Sequence, residues 1–187
     1  MKKSEGLNFK SAFMYPFNRA KGMWNILWIL FPIFGWFALG GYSVRIVKEF
    51  ISGKFKNLPL MKFGDDMRLG FFMFLKAIPF VVVMVIMFGI LFLTNPILEV
   101  MAEVLFGIFV FPMLTIHFMN KQTIGSFFEF RIIGKVWNNF GDYFLAILKS
   151  IGLALVFLIM IIVLVGIPAS QFTKNIFLAD FYRRMVK

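Results

Sequence analysis

Residues 77–98 read Ala-Ile-Pro-Phe-Val-Val-Val-Met-Val-Ile-Met-Phe-Gly-Ile-Leu-Phe-Leu-Thr-Asn-Pro-Ile-Leu and contain no charged side chain. A helix needs roughly 20 mostly apolar residues to cross the hydrocarbon core of a bilayer. Three further stretches, 22–44, 104–120 and 150–173, also lack Asp, Glu, Lys and Arg. Four such runs in 187 residues predict an all-α polytopic membrane protein.

The overall composition supports the same class. Hydrophobic residues make up 60% of the chain and charged residues 16%, whereas a soluble domain averages about 25% charged residues. The chain has no cysteine, which excludes thiolate metal ligands and a thiol nucleophile. The net charge of +11 predicts contact with anionic lipid headgroups and no nucleic-acid partner, because basic residues collect on the cytoplasmic side of membrane proteins.

The distribution of basic residues predicts hairpins. A single crossing by 22–44 would place the basic segments 1–21 and 53–69 on opposite sides, against the positive-inside rule. A reversal at a Gly/Pro turn within 22–44 removes this conflict. Three turn-forming stretches contain no Lys or Arg, namely Pro32–Gly35, Thr94–Pro96 and Gly166–Pro168. We therefore expect about six helical arms in three hairpins, together with an interfacial amphipathic helix.

The expected organisation is a single integral domain in the cell membrane, with both termini and both long loops cytoplasmic. Its parts are a lead-in at 1–21, hairpin 1 at 22–52, a cytoplasmic loop at 53–69, hairpin 2 at 70–119, an interfacial segment at 120–142 and hairpin 3 at 143–187. The first and last hairpins have polar return arms. They either span the membrane fully or remain re-entrant or interfacial where protein covers their polar groups.

The interfacial segment carries an amphipathic pattern. Phe128, Ile132, Val136 and Phe140 recur every four residues, with charged residues between them. This spacing predicts a helix lying in the membrane surface, with Trp137 at headgroup depth.

Five charged residues are candidates for a polar pathway or for ion pairs. Glu99 and Glu103 share one helix face and could form a cation or proton site, or could simply lie near a helix N-terminus. Arg45, Lys174 and Asp180 lie on the polar return arms, where they would pair with one another or line a wet cavity.

Other side chains suggest packing rather than chemistry. Ala146, Ser150 and Ala154 are small residues four apart, a spacing that lets helices approach closely. His117 is the only histidine and has no local carboxylate companion, so a packing or interfacial role is expected and no metal site is predicted.

No catalytic or cofactor-binding motif is found, so the sequence predicts neither an enzyme nor a cofactor. Asp65-Asp66 is the only acidic pair on the predicted cytoplasmic side. It could bind Mg²⁺ with a lipid phosphate, or cap the third arm.

Several short motifs resemble the integral membrane family catalogued as domain of unknown function 4013. They are Tyr15-Pro16-Phe17, the run from Leu39 to Lys48, Gly53, Leu58-Pro59, Asp65-Asp66, Gly70, Phe127–Phe130 and Phe140–Tyr143. Met67 stands where the family usually has Trp, and Gly40 is an unusual second glycine. The resemblance implies a compact multi-helix membrane domain and no assigned activity.

Three functions remain in competition. The first is a membrane scaffold or accessory component, with a membrane-protein partner or a second copy of the chain. The second is a small transporter or channel for an ion or small solute. A lipid-modifying enzyme, resting only on Asp65-Asp66 and its basic neighbours, is the weakest.

Overall fold

The computed structural model describes residues 6–186, apart from the side chain of Val163, and within them every regular element is helical. The α-helices are α1 (Phe9–Met14), α2 (Phe34–Ile51), α3 (Phe63–Thr94), α4 (Pro96–Leu105), α5 (Phe111–Lys121), α6 (Arg131–Asn138), α7 (Phe140–Ile159), α8 (Gly166–Thr173) and α9 (Ile176–Met185). Tighter 3₁₀ turns cover Phe17–Leu30, Ile124–Phe128 and Met160–Val163, and a π-helical turn covers Phe106–Val110. The all-α class is therefore confirmed. Residues 1–5 of the predicted lead-in and Lys187 lie outside the described residues.

Three helical segments are long and apolar enough to cross a membrane. They are Phe63–Thr94 with 32 residues, Pro96–Lys121 with 26 and Phe140–Ile162 with 23. Their composition suggests membrane association. The uncharged run at 22–44 contains no helix of this kind, so the six-arm arrangement is not confirmed.

The tip between α3 and α4 forms where it is predicted. The Asn95 side chain accepts hydrogen bonds from the backbone N–H groups of Ile97 and Leu98, and Pro96 occupies the first helical position. Asparagine is a favoured N-cap, and proline is tolerated at the next position because its missing N–H would have no partner there. This turn is encoded by local sequence.

The other two tips use a glycine seated against a backbone carbonyl. A Cβ atom at Gly35 would lie 1.7 Å from the carbonyl oxygen of Trp28, and one at Gly166 would lie 2.0 Å from that of Phe157. The predicted tip at Gly166–Pro168 is wrong by two residues, because the chain turns at Leu164, whose φ is 59°. Gly166 and Pro168 instead begin α8, whose first turn tolerates proline.

The α2 and α3 helices pack more extensively than any other pair. They meet at Gly41 and Gly70, since a Cβ at Gly41 would lie 1.9 Å from the carbonyl oxygen of Asp66. A Cβ at Gly70 would lie equally close, 1.9 Å, to the carbonyl oxygen of Phe37. Glycine at both positions lets the two backbones touch.

This crossing fixes how far the first hairpin extends along α3. Phe37, near the start of α2, lies 5.3 Å from the Phe71 ring and 5.5 Å from the Phe74 ring between centroids. From Phe74, α3 continues to Thr94, a rise of roughly 30 Å at 1.5 Å per residue. The tip of the first hairpin therefore lies far below the tip of the α3–α4 hairpin.

Helices α1, α2, α7, α8 and α9 pack together into one body beside the base of α3 and α5. Every residue from Ile176 to Tyr182 on α9 is buried, and α9 contacts α2, α5 and α7. Tyr42 packs edge-on against Phe172, and Phe13 stacks on Phe157. In contrast, the outer parts of α3 and α4 project from this body with large apolar side chains exposed, including Leu93 (84%) and Ile97 (74%).

The predicted interfacial helix is divided in the structure. A 3₁₀ turn precedes a break at Glu129, after which α6 runs for only eight residues. Phe128 and Trp137 are exposed, as expected for a membrane surface, but Ile132 is buried in the protein core. The expectation that Ile132 faces the membrane is therefore wrong, because α6 turns this side chain towards the body of the protein.

Candidate functional site: a pinned loop and two aspartate centres

Residues 53–62 form a loop whose carbonyl oxygens are held by side chains of the body. We call this segment the pinned loop. Four donors reach four of its carbonyls: Asn18 Nδ2 to Lys56 at 2.7 Å, Arg19 Nη1 to Leu58 at 2.5 Å, Tyr42 Oη to Pro59 at 2.9 Å and Arg45 Nη2 to Leu60 at 2.7 Å. Gly53, with φ 82°, lets the chain leave α2. The loop is irregular in secondary structure but well supplied with hydrogen bonds.

An arginine–aspartate pair closes the base of the loop. Arg45 Nε and Nη2 donate to the two carboxylate oxygens of Asp66 at 2.5 and 2.7 Å, and the backbone N–H of Lys62 donates to the same carboxylate at 2.8 Å. Asp66 is fully buried. Such paired, hydrogen-bonded geometry is what allows a carboxylate to remain buried. Asp65 and Asp66 lie in the first turn of α3, and no side chain among residues 6–186 caps this helix at Lys62, so the predicted capping role is not seen; Asp65 is exposed.

Tyr42 adds a neutral donor to this centre. Burial raises the pKa of Tyr42 to about 12, while the guanidinium of Arg45 acts in the opposite direction. The phenol therefore stays protonated at neutral pH and donates to Pro59.

An open cleft of about 970 Å³ lies between α1, the end of α2 and the pinned loop. Its lining includes six basic residues, Lys10, Arg19, Arg45, Lys54, Lys56 and Lys62. Glu49 is the one acidic residue in that described lining. The cleft is therefore a concentrated positive region.

A second buried aspartate joins the two ends of the described chain. Asp180, on α9, accepts from Arg183 Nη2 at 2.7 Å, from Arg184 Nε at 3.1 Å and from the backbone N–H of Leu7 at 2.8 Å. Arg184 also lies 3.8 Å from a carboxylate oxygen of Asp142. Asp180 is thus a structural ion-pair centre.

The single histidine links three segments. His117 Nδ1 lies 2.7 Å from the Tyr182 hydroxyl, and Nε2 lies 2.9 Å from the Glu129 carboxylate. Because a carboxylate only accepts, Nε2 carries the hydrogen and Nδ1 accepts from Tyr182 when the ring is neutral. The side chain is only 7% exposed, so this bridge holds α5 against α9 and against the connection to α6.

The five predicted charged candidates do not converge. Arg45 belongs to the Asp66 centre and Asp180 to the second centre. Glu99 and Glu103 lie on α4, and Lys174 is exposed at the break between α8 and α9. Within residues 6–186, none of these last three side chains has an ion-pair partner.

The predicted small-residue face of α7 is only partly buried. Ala146 is buried and Ser150 half-buried with its hydroxyl bonded to the Ala146 carbonyl, whereas Ala154 is exposed. The fully covered positions continue instead through Leu153 and Phe157.

Sequence reasoning missed most of the second centre. The spacing of Asp180, Arg183 and Arg184 is a recognisable signal, since residues three and four apart share a helix face. The N–H of Leu7 carries no signal at all, because it lies 173 residues from its acceptor.

Comparison with known proteins places much of this geometry within a family. Residues 25–166 match the family described as protein of unknown function (DUF4013). No curated protein and no solved structure matches the chain significantly. The matched range includes the pinned loop and Asp66 but stops before Asp180.

Proposed function

The chain belongs to the DUF4013 family of proteins of unknown function, and from this premise we propose that it is a multi-pass scaffold or accessory protein of the cell membrane without catalytic activity. Its termini and long loops are cytoplasmic, and its partner is another membrane protein or a second copy of the chain. The alternative function is a small transporter or channel.

The projecting hairpin of α3 and α4 carries this proposal. Side chains from Val81 to Leu105 expose large apolar surface on nearly every side, and one face of α7 is also apolar and exposed. Patches of this extent mark a membrane or a protein partner. A hairpin anchored in lipid and a rigid body at its base are features of an accessory protein that positions others.

The packing register favours full spanning by the α3–α4–α5 hairpin and not by hairpin 1. The tip of the first hairpin reaches only the level of Phe74, while α3 extends about 30 Å further, which is a full hydrocarbon core. Both tips cannot lie at the same far surface. Hairpin 1 is then re-entrant or interfacial, which is the alternative that the sequence leaves open.

The polar groups also favour a structural role. Asp66, Arg45 and Asp180 are each engaged by protein atoms, so none of them is available to a substrate in this arrangement. No group of three or more potential metal ligands occurs in the described part of the chain.

Single-cysteine labelling tests the topology. The chain has no native cysteine, so each introduced thiol is unique. An impermeant reagent applied to intact cells should label Asn95→Cys and leave Phe34→Cys and the cytoplasmic control Phe55→Cys unlabelled. Labelling at Phe34→Cys would overturn the re-entrant arrangement. Labelling at Ile167→Cys decides whether hairpin 3 crosses as well.

Crosslinking in native membranes tests the scaffold role. A photoreactive group at Leu93, on the exposed hairpin, should form a defined adduct with a protein. The matched group at Phe157, which is fully buried, should give none. Only lipid adducts from Leu93 would count against a partner-binding scaffold.

One observation favours the transporter alternative. The return arm is interrupted between α8 and α9, where Lys174 lines an open cavity of about 220 Å³ with Ser150 and Ser170. Broken helices often form transporter sites. Proteoliposomes should then show ion or solute flux that Lys174→Gln abolishes and Lys121→Gln preserves, with Glu99→Gln/Glu103→Gln as a second pathway test. Absence of flux excludes this alternative.

A further inference from the structure

The pinned loop presents backbone N–H groups on its outer side. In a planar trans peptide, the carbonyl and the following N–H point in opposite directions. The carbonyls of Lys56, Pro59 and Leu60 point inwards to their donors, so the N–H groups of Asn57, Leu60 and Met61 point outwards. Among residues 6–186, no backbone or side-chain acceptor takes these three N–H groups.

Exposed basic side chains lie on the same loop as these N–H groups. They are Lys54, Lys56 and Lys62, and Lys10 of α1 lines the neighbouring cleft. Unpaired N–H groups together with nearby cations favour the binding of an anion. An anion with several acceptor oxygens, such as a phosphate ester, matches both kinds of donor.

An apolar side chain lies at the centre of this basic surface. Leu60 is 70% exposed although it lies between Pro59, which is buried, and the cationic Lys62. An exposed leucine near lysines suits a ligand that carries apolar groups beside its phosphate, as a phospholipid does.

We propose that the outer face of the pinned loop is a binding site for a phosphate ester, supplied by the headgroup of an anionic phospholipid. The N–H groups of Asn57, Leu60 and Met61 and the lysines of the loop bind the phosphate, and Leu60 packs against the apolar part of the same lipid. A soluble phosphate ester would offer the same phosphate chemistry to this face. This inference rests on the proposed membrane anchorage and names the lipid class that the body recognises.

The test uses the full chain in a neutral detergent, titrated by calorimetry. The probes are short-chain phosphatidylglycerol, short-chain phosphatidylcholine, glycerol phosphate and inorganic phosphate. The test variant is K54Q/K56Q/K62Q. The matched control, K121Q/R131Q/K135Q, removes three exposed charges from other surfaces.

We expect the native chain to bind phosphatidylglycerol in preference to phosphatidylcholine. The loop variant should bind it about tenfold or more weakly, since each lysine near an anionic surface contributes favourably. The control should bind like the native chain. Hydrogen exchange of residues 53–62 should slow when phosphatidylglycerol is added, because the outward N–H groups acquire acceptors.

Several outcomes decide the proposal. Equal binding of the two lipids, or equal weakening in both triple variants, overturns the site. Lysine-dependent binding of glycerol phosphate or inorganic phosphate that matches phosphatidylglycerol supports the phosphate site but overturns a lipid source. The topology experiment is independent of these lysines, so a failure of the anchorage is distinguishable from a failure of the site.

Discussion

The Asp66 and Asp180 centres each compensate the charge of a buried carboxylate, in two different regions of the molecule. Each carboxylate is at most 2% exposed, receives guanidinium donors on both oxygens and accepts a backbone N–H from a non-helical segment. Asp66 is served by the single guanidinium of Arg45, 21 residues away, whereas two consecutive arginines on its own helix serve Asp180. The first centre holds an internal loop, and the second holds the start of the described chain.

The two centres differ in the charged partners that remain when the aspartate is removed. Among the described residues, Arg45 has one carboxylate partner. Removing the Asp66 carboxylate therefore leaves the Arg45 guanidinium without a counter-charge next to the close crossing of α2 and α3. Arg184 still has the Asp142 carboxylate at 3.8 Å when Asp180 is removed, so one arginine of the second centre keeps a counter-charge. We therefore expect the first centre to dominate the stability of the fold.

The largest effect is expected for Asp66→Asn. The amide turns donors towards Arg45 and leaves its charge uncompensated, which should lower the free energy of unfolding by about 3 to 5 kcal/mol. The measurement is denaturant unfolding in mild detergent. Asp65→Asn, at the exposed neighbour, is the matched control and should change stability by about 0.5 kcal/mol or less. Equal effects at the two positions would refute a dominant first centre.

A smaller loss is expected for Gly70→Ala, which tests the helix crossing beneath the first centre. A methyl group there would meet the Phe37 carbonyl, so α2 and α3 must separate at a cost of about 3 kcal/mol. Gly64→Ala, on the same helix with open space around it, is the control and should be neutral or slightly stabilising. Comparable melting temperatures for the two variants would contradict the close crossing.

Asp180→Asn is expected to cost less, about 2 kcal/mol, because Arg184 keeps Asp142 as a partner. The effect should be regional. Hydrogen exchange should accelerate in residues 6–14, which lose the anchor at Leu7, while α2 and α3 keep their protection. Uniform acceleration over the whole chain would show that the two centres are not separable.

The smallest expected effect is a pH dependence of stability that comes from Tyr42, which lies beside the Asp66 centre. Unfolded Tyr42 ionises near its ordinary pKa of 10.0, whereas burial raises the pKa of the folded phenol to about 12. The unfolded chain therefore loses a proton first, and stability falls between these values by about 1 kcal/mol per pH unit.

Tyr42→Phe removes this contribution. At neutral pH the variant should be about 1 kcal/mol less stable, because the bond to Pro59 is lost. The gap should close near pH 11 and reverse by about 1 kcal/mol at pH 12, because only the native chain loses stability through Tyr42 ionisation. A gap that is constant with pH would exclude the raised pKa as the cause.

Local signals predict the parts of this fold that depend on neighbouring residues. The uncharged run at 77–98 and the Asn95-Pro96 turn are such signals, and both correspond to the structure. The sequence identifies Arg45 and Asp66 as charged residues in polar segments. It does not predict that they pair, because the pairing depends on the close contact of Gly41 with α3.

Other features are set by tertiary packing. Nothing local indicates that Ile132 is buried or that residues 17–30 form 3₁₀ turns with a kink at Arg19. These depend on segments distant in sequence that compete with local propensity. The tip at Leu164 was misplaced for a related reason, since the close approach of Gly166 to Phe157 decides where the chain turns.

The hydrogen bond from Leu7 to Asp180 constrains the order of events during synthesis of the protein. Its donor and acceptor are 173 residues apart, so the first turn of the chain is made long before its acceptor exists. At about 5 to 20 residues per second, a ribosome needs roughly 10 to 35 s to synthesise the intervening chain. The α1 segment therefore stays undocked until α9 has been synthesised.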